Sequence, residues 1–314
     1  MRIATSAYTN TMLNEFSMLK QQQVNLQNQV STGLRIQAPS DDPTAMQNTL
    51  DDLSSQATQQ QYSSNISTAQ SQANSVYSVL QSLQTIASRV GEITTSAGSV
   101  TNSQSDLNKY ATEVTSLIQE AAQLGNSKDP ATGQYLFGGT DSGQPPFTVT
   151  TDANGNVTGV TYSGNSSVNQ TQIADGTTVA VDAPGANTSG SGAYGIITDS
   201  RTGADLFNHM ISLQNNLLSG NTSAITSTDS KNLQSDEDNL TYQVAYNGNV
   251  QTRLTTAATS ATSQSNSLTN LVSNASGADL VSTMTELSQT QTAYQAALES
   301  SASLMQLSIL NYIQ

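Results

Sequence analysis

The amino-acid sequence predicts a mostly helical α+β protein: a long antiparallel helical bundle built from the N- and C-terminal segments, with a small β domain inserted. Apolar residues recur three and four positions apart in both terminal segments, which is the spacing of one helix face. Between about residues 133 and 203 the period changes to alternation, and Gly, Thr, Val and Pro become frequent, which is typical of strands and turns. The two helical halves are therefore expected to pack against each other.

The first predicted helix covers residues 12–32, and Gly33 suits the left-handed position that closes a last helical turn. Its apolar stripe consists of Phe16, Leu19, Gln23, Leu26 and Val30. A second helix is predicted to begin within Ser40-Asp41-Asp42-Pro43. Asp42 is a good N-cap there, and Pro43 lacks the N–H that a first helical residue leaves unpaired. The segment between these helices is predicted to be a break.

The cleanest coiled-coil seam of the chain lies in the second helix and runs over four heptads. Its members are Tyr62, Ile66, Ala69, Ala73, Val76, Leu80, Leu83, Ala87 and Val90. A further stripe ends at Gly125, before a stop at Asp129-Pro130, and consists of Leu107, Tyr110, Val114, Leu117, Ala121 and Leu124. Residues 44–125 are therefore expected to form a long antiparallel helical pair.

Two hairpins are predicted in the inserted β domain. The strands 148–151 and 157–162 flank Asn154-Gly155, which is a strong signal for a type I′ turn. Asp175-Gly176 separates two more predicted strands at 168–173 and 177–182. Helical spacing returns after the insert, at Leu206, Met210, Leu213 and Leu217, and then from Leu240 to Leu271 through Val244, Leu254, Ala258, Ala261 and Leu268.

The C-terminal segment carries the second terminal stripe, which consists of Leu280, Met284, Leu287, Gln291, Tyr294 and Leu298. Polar Gln23 and Gln291 within the two stripes favour an assembly role, because buried polar residues set register and partner choice in helical seams. Arg2, Lys20 and Arg35 stand against Glu15 in residues 1–40, whereas Asp279, Glu286 and Glu299 follow the last basic residue. These opposite charges favour pairing of the two segments.

Three domains are predicted from these patterns. Residues 1–40 with 275–314 form a terminal helical assembly domain, residues 41–132 with 204–274 form a helical-bundle domain, and residues 133–203 form the β-rich insert. Leu, Ile, Val and Phe make up only 61 of 314 residues, close to the range of disordered chains. Parts of the protein are therefore expected to fold only against neighbours.

Charge and hydropathy exclude several classes of partner. Nine Lys and Arg face 23 Asp and Glu, for a net charge of −14, so no cationic surface for nucleic acid is expected. No stretch of 18 apolar residues predicts a membrane-spanning helix. The first six residues lack the apolar region of a signal peptide, so the protein is expected to stay inside the cell or to leave without a cleaved signal.

No catalytic, cofactor or metal site is predicted. Cysteine is absent and His209 is the only histidine, so zinc sites and thiol chemistry have no ligands, and His209 is interpreted as a helix-surface or boundary residue. Asp152, Asn154 and Asn156 resemble the opening of a calcium loop, but Val157 stands where that loop needs Gly, and a hairpin turn explains them equally. The acidic pairs 41–42 and 51–52 and the run 236–238 are interpreted as solvated or capping acids.

Several segments together resemble a known family. Met1-Arg2-Ile3, then Ser31-Thr32-Gly33-Leu34-Arg35-Ile36 and Pro39-Ser40-Asp41-Asp42-Pro43, resemble the N-terminal signature of bacterial flagellins and hook–filament junction proteins. The segment Tyr135–Thr140 with Pro146-Phe147, and the C-terminal run from Asp279 to Leu298 with Leu307-Ser308, are similar to the hook-associated protein 3 family. The Asp-Asp-Pro form favours the junction proteins over flagellin.

The resemblance implies a structural protein of the bacterial flagellum, without cofactor and not an enzyme. It implies export through the flagellar type III channel, a homo-oligomeric ring between the hook side and the first flagellin subunits, and three partners: a neighbouring hook-associated protein, flagellin or its capping neighbours, and an export chaperone. The residues expected at the assembly interface are Phe16, Leu19, Leu26, Val30, Arg35, Asp41, Asp42, Pro43, Leu280, Leu287, Tyr294 and Leu298. The β insert is expected outermost. Deletion of 148–198 is therefore expected to be better tolerated than replacement of Leu287 and Leu298 by Asp.

Four other functions compete with this one, of which an enzyme that depends on His209 ranks last. Flagellin itself shares the terminal architecture. A secreted adhesin would use the β insert as a binding module, but residues 133–203 show no aromatic platform or charged pocket in the sequence. A cytosolic coiled-coil scaffold fits the stripes but lacks the abundant flanking charges that such proteins carry.

Overall fold

The computed structural model describes residues 2–99 and 101–313, with side chains described for 10–99 and 101–303, and it confirms the predicted mostly helical α+β class. The helices are α1 (Arg2–Thr32), α2 (Pro43–Ala97), α3 (Gln104–Gly125), α4 (Leu206–Ser219), α5 (Thr222–Ala224), α6 (Ser230–Ser276) and α7 (Leu280–Ile313), with a π-helical turn at Ile225–Asp229. The strands are β1 (Phe147–Thr151), β2 (Val157–Tyr162), β3 (Thr171–Ala174), β4 (Thr177–Val179), β5 (Ala186–Asn187), β6 (Thr198–Asp199) and β7 (Ala204–Asp205).

The chain divides into two compact units, one of residues 1–58 with 264–314 and one of residues 59–263. The first unit therefore contains α1, the start of α2, the end of α6 and α7. The second contains the long seam, the β strands and the remaining helices. The three-domain division, with boundaries at 40, 132, 203 and 274, stays a prediction.

The predicted helix signals at the first break are confirmed. Gly33 has a φ of 71° directly after the last residue of α1, as a left-handed closing residue requires. Oδ1 of Asp42 accepts a hydrogen bond from the Ala45 backbone N–H at 3.0 Å, and Pro43 is the first residue of α2. The start of the first helix lies ten residues earlier than predicted, at Arg2.

The long predicted seam is the core of the second unit, since none of its nine residues is more than 8% exposed. Its C-terminal half packs with α3, α4 and the start of α6 around the fully buried Leu83, Val114, Met210 and Leu213. The stripe predicted for α3 is shifted in part. Tyr110, Leu117 and Leu124 are only partly buried, whereas Ala111 and Ile118 complete the inner face.

Both predicted hairpins form, but the turn type predicted for Asn154-Gly155 is wrong. The β1–β2 and β3–β4 pairs are antiparallel. A type I′ turn needs positive φ at both central residues, and no non-glycine residue in the described chain has one. Instead, the Gly155 N–H donates a hydrogen bond to the Asp152 carbonyl at 3.1 Å. The left-handed residue is Gly155, with a φ of 85°, which follows the two central residues of this turn.

The hairpins belong to the cores of the second unit rather than to its surface alone. Phe147 of β1 and Val157 of β2 pack with α3 and α4, and a β-carbon on Gly125 would lie 2.7 Å from the Phe147 ring. Ile173 and Val179 of the second hairpin pack on Ile66, Ala69, Val250 and Leu254 of α2 and α6. Deletion of 148–198 would uncover both cores. The relative tolerance of this deletion stays a prediction.

Candidate assembly surface

The two terminal helices, α1 and α7, pack side by side in opposite directions. The Phe16 ring meets the Tyr294 ring edge-on with 5.8 Å between centroids, while Leu34 pairs with Gly277 in an antiparallel bridge at the far end. The residues of α1 that turn away from solvent follow heptad spacing: Met12, Phe16, Leu19, Gln23, Leu26 and Val30. The predicted pairing of the two ends and the predicted stripe of α1 are both confirmed.

The inner face of α7 differs from the predicted stripe. Leu287 and Tyr294 turn toward α1, but Leu280, Met284 and Leu298 are 43–54% exposed and Gln291 is exposed as well. The other inner positions are small residues at heptad spacing: Thr283, Thr290, Ala297 and Ser301.

The hydroxyl groups explain why apolar periodicity in the sequence does not predict this face of α7. Thr283 Oγ1 donates to the Asp279 carbonyl at 2.8 Å and Ser301 Oγ donates to the Ala297 carbonyl at 2.6 Å. A hydroxyl bonded to its own helix can be buried without an unpaired polar group. The heptad spacing of residues 283, 290, 297 and 301 predicts this face once Thr and Ser are counted as small residues that a helix contact can bury.

Arg35 connects the turn after α1 with the end of α6. Its backbone N–H donates to the Ser276 carbonyl at 2.7 Å, and Nη2 donates to the Ala275 carbonyl at 2.9 Å, where a helix C-terminus favours a cation. Nη1 lies 3.8 Å from Oδ2 of Asp42. Arg35 therefore holds the two chain segments together within one subunit.

Asp41 closes the same turn from the other side. Its Oδ2 accepts hydrogen bonds from the backbone N–H groups of Gln37 and Ala38, both at 2.9 Å. These two donors hold the pKa of Asp41 below its usual value. Arg35, Asp41, Asp42 and Pro43 thus shape the break between α1 and α2, and their part in contacts between subunits stays a prediction.

The charges of the two terminal segments do not explain their packing. Among the described side chains, no salt bridge joins α1 to α7. The contact consists of the aromatic pair, the aliphatic side chains and the small residues of the two inner faces.

Exposed apolar side chains are concentrated in the first unit. Among the described residues, those of large size in this unit are Leu13, Met18, Val24, Leu34, Leu50, Leu53, Leu271, Leu280, Val281, Met284 and Leu298. The second unit exposes Leu218, Tyr242 and Tyr246. Leu271 lies in α6, as the helical spacing predicts, but it is 52% exposed. Apolar side chains gathered on one surface mark an interaction site.

Five of these residues lie on the same side of the α1–α7 pair. A helix turns about 100° per residue. Measured about the axis of α1 in the direction of increasing residue number, Leu13 and Val24 therefore lie about 100–120° from the centre of the face that contacts α7. Measured in the same way about the axis of α7, Leu280, Met284 and Leu298 lie about 60–100° from the centre of the face that contacts α1. In an antiparallel pair, equal rotation from the contact leads to the same side. We call these five residues the apolar flank.

The lone histidine is paired with a buried acid. His209 Nδ1 lies 2.8 Å from Oδ2 of Asp236. Asp236 is 1% exposed, and its Oδ1 accepts a hydrogen bond from the Asp205 backbone N–H at 2.7 Å. Interpretation of Asp236 as a solvated or capping acid is therefore wrong. Burial lowers the pKa of His209, but the Asp236 hydrogen bond and the charges of Asp236, Asp205 and Asp229 outweigh it, so the net shift is upward.

The loop at Asp152, Asn154 and Asn156, which resembles the opening of a calcium site, is a hairpin turn in the structure. Asp152 accepts the backbone N–H groups of Asn154 and Asn156, both at 2.8 Å, as a closed turn requires. Across the described residues, no group of three His, Cys, Asp or Glu side chains could hold a metal ion. None of the helices in residues 2–99 and 101–313 is long and apolar enough to span a membrane.

Comparison with known proteins agrees with this architecture. Residues 3–142 match the family model of the bacterial flagellin N-terminal helical region. A protein of Vibrio parahaemolyticus described as a flagellar hook-associated protein is similar in structure, with a TM-score of 0.63 and 19% identity over 76% of this chain and 100% of that one. No curated protein sequence matches the chain.

Two further solved structures are similar. FlgL of Bacillus cereus has a TM-score of 0.56 and 16% identity, covering 71% of this chain and 99% of that one. The flagellar junction protein FlgL of Legionella pneumophila has a TM-score of 0.50 and 15% identity, covering 74% and 100%.

These similarities confirm the predicted resemblance. The chain is similar to bacterial flagellins over residues 3–142, which match their N-terminal helical region. Its fold is that of hook-associated and junction proteins.

Proposed function

We propose that this protein forms the junction between the flagellar hook and filament, as a homo-oligomeric ring that provides the base for flagellin polymerisation. The observation that carries the proposal is the apolar flank, because it leaves Leu13, Val24, Leu280, Met284 and Leu298 exposed along a paired helical surface. A second copy of the same surface would present apolar side chains of the same kind, so burial of the two surfaces against each other would remove both from water. The similarity to FlgL structures supports the position in the axial structure.

The predicted interface residues divide into three groups on this proposal. Leu280 and Leu298 contact neighbouring subunits directly, because they are exposed in one chain. Phe16, Leu19, Leu26, Val30, Leu287 and Tyr294 act by holding α1 against α7. Arg35, Asp41, Asp42 and Pro43 orient this pair by shaping the break that follows it.

Export and partners follow from the same proposal. A chain with few large core residues and no cysteine can travel unfolded through a narrow channel, and its terminal helices then gain order on assembly. An export chaperone would cover α1 and α7 before assembly. A neighbouring hook-associated protein lies on one side of the ring, and flagellin or its capping neighbours lie on the other.

The test is to delete the gene, image the cells by electron microscopy and assay the medium for flagellin. The expected result is hooks without filaments and flagellin monomers in the medium, because flagellin has no base on which to polymerise. Normal filaments on such cells would contradict the proposal.

Substitution of the flank tests how the subunits assemble. Met284→Asp together with Leu298→Asp is expected to reduce incorporation into flagella more than about tenfold, since each buried charge costs at least the 1.4 kcal/mol that a factor of ten represents. Incorporation is measured by immunoblotting of sheared flagella against total protein. Gln289→Asp with Thr292→Asp is the matched control, because both residues are exposed polar positions of α7. Equal incorporation of both variants would contradict a role for the flank.

The alternative is a subunit of the filament itself, which the match to the flagellin N-terminal region favours. Immunogold labelling of intact flagella separates the two. A junction protein is labelled only where the hook ends, whereas a filament subunit is labelled along the whole length.

A further inference from the structure

Three tyrosines form an exposed aromatic strip in the second unit. Tyr194 lies in the loop between β5 and β6, and Tyr242 and Tyr246 lie one turn apart on α6. Their centroids are 4.8 Å apart for Tyr194 and Tyr242 and 6.4 Å for Tyr242 and Tyr246, whose rings are parallel to within 20°. Tyr242 and Tyr246 are 43% and 44% exposed. An aromatic platform therefore exists, although the sequence of 133–203 alone shows none.

The strip is held in place before any ligand arrives. Cζ of Arg201 lies 3.7 Å from the centre of the Tyr194 ring and covers one of its faces. The guanidinium is fixed by Asp199 and by the carbonyls of Gly192 and Ala193. Gln243 Nε2 donates to the carbonyls of Tyr194 and Gly195, at 3.2 and 3.0 Å, and ties this loop to α6. A rigid site loses little freedom on binding.

A cleft of about 340 Å³ lies beside the strip. Its polar lining includes Gln170, Asp182 and Gln243. The Asp182 carboxylate accepts hydrogen bonds from Gln72 and from Asn169, the latter at 3.2 Å, and a carboxylate has about four lone-pair sites. The cleft thus offers aromatic faces together with the Asp182 carboxylate and the Gln170 side-chain amide as hydrogen-bonding groups.

We propose that this cleft binds a neutral saccharide unit through the strip of Tyr194, Tyr242 and Tyr246. A sugar ring has a face of C–H groups, which the negative face of an aromatic ring attracts, and a rim of hydroxyl groups, which carboxylate and amide groups bind. The volume is at the lower end for ligand sites, which fits one or two sugar units. The site is independent of the role at the hook–filament junction.

The charges of the cleft argue against other small ligands. A phosphate or an acidic sugar would meet the Asp182 carboxylate, and the donors of Arg201 already serve Asp199 and two backbone carbonyls. A quaternary ammonium ion prefers several ring faces around it. Here one face of Tyr194 is covered by Arg201, and the rings of α6 form a row.

The test is saturation-transfer NMR on the full chain with four probes: maltose, cellobiose, lactose and diacetylchitobiose. The expected result is transfer to ring C–H protons of at least one probe. Tyr242→Ala with Tyr246→Ala is expected to weaken this binding at least about tenfold, because two ring faces are lost. Leu218→Ala is the control, since Leu218 is also exposed in this unit but does not line the cleft.

Two further measurements make the result decisive. Thermal unfolding shows whether the double variant is folded, and Asp182→Asn is expected to weaken binding while the transfer pattern over the C–H face is kept. The proposal is overturned if none of the four probes gives transfer at millimolar concentration or if the double variant binds equally well. Binding of choline or of a sulfated disaccharide without binding of any neutral probe would also overturn it.

Discussion

Replacing Arg201 by Ala is expected to destabilise the second unit by about 3–5 kcal/mol, because it leaves a buried carboxylate without its counter-charge. Asp199 is 0% exposed. Its Oδ1 accepts Nε of Arg201 at 2.9 Å and its Oδ2 accepts Nη2 at 2.6 Å, so the pair is bidentate. The free energy of unfolding of both proteins is measured in urea at pH 7.

Two further variants show whether this geometry is responsible. Arg201→Lys is expected to recover only part of the loss, since an ammonium cannot bind both carboxylate oxygens and cover the Tyr194 ring. Arg253→Ala is the control, because Arg253 makes a 3.3 Å hydrogen bond to the Thr178 carbonyl at the surface, and a change within about 0.5 kcal/mol is expected. An Arg201→Ala protein as stable as the wild type would contradict the role of the pair.

The effect of Arg201 also depends on pH. Burial raises the pKa of Asp199, but hydrogen bonds from the Arg201 side chain and from backbone N–H groups outweigh it and hold the pKa below its usual value. A carboxyl group with a lowered pKa stabilises the fold above its unfolded-state pKa of about 3.9, and this contribution is lost as pH falls through the folded-state value. The difference between the two proteins is therefore expected to shrink in acid.

Replacing His209 by Ala is expected to cost about 3 kcal/mol, since Asp236 then loses the partner of its 2.8 Å hydrogen bond while it stays buried. Burial raises the pKa of Asp236 even with His209 present, which shows how poorly its charge is solvated. Urea unfolding of the variant and the wild type measures the difference. Asn208→Ala is the control on the exposed side of α4, and an effect as large as that of His209→Ala would contradict the importance of the pair.

The His209–Asp236 pair also makes the free energy of unfolding of the wild-type protein depend on pH. The pKa of His209 is raised in the folded protein, so its contribution is fully present below the unfolded-state value of about 6.5 and is lost as pH rises through the folded-state value. Stability is therefore expected to fall as pH rises from about 6.5. His209→Gln is expected to remove this part of the slope, and an unchanged slope would contradict the assignment.

Local signals in the sequence predicted the helices and their ends well. The seam from Tyr62 to Val90 is buried as predicted, because heptad spacing places its nine apolar or small residues on one face of α2, and packing of that face against other elements removes them from water. Asp42 and Pro43 start α2 because capping depends on residues within one turn. The hairpins formed for the same reason, although the turn at Gly155 depends on backbone angles that dipeptide signals do not specify.

The candidate sites were predicted less completely, because they join residues far apart in the chain. Nothing near Asp236 in the sequence points to His209, and nothing near Tyr194 points to Tyr242. On the inner face of α7, only Leu287 and Tyr294 were predicted from the sequence. The other inner positions include buried Thr and Ser side chains, which are hydrogen-bonded to their own helix and carry no apolar signal.

The sequence by itself determined the helical class, the breaks at Gly33 and Pro43, the buried seam and the family resemblance, because each depends on residues within a few turns of one another. Only the tertiary structure decided which apolar residues of α1 and α7 pack together and which remain exposed as the flank, and which acids are buried. Exposure is set by the neighbouring element, and that element comes from the other end of the chain.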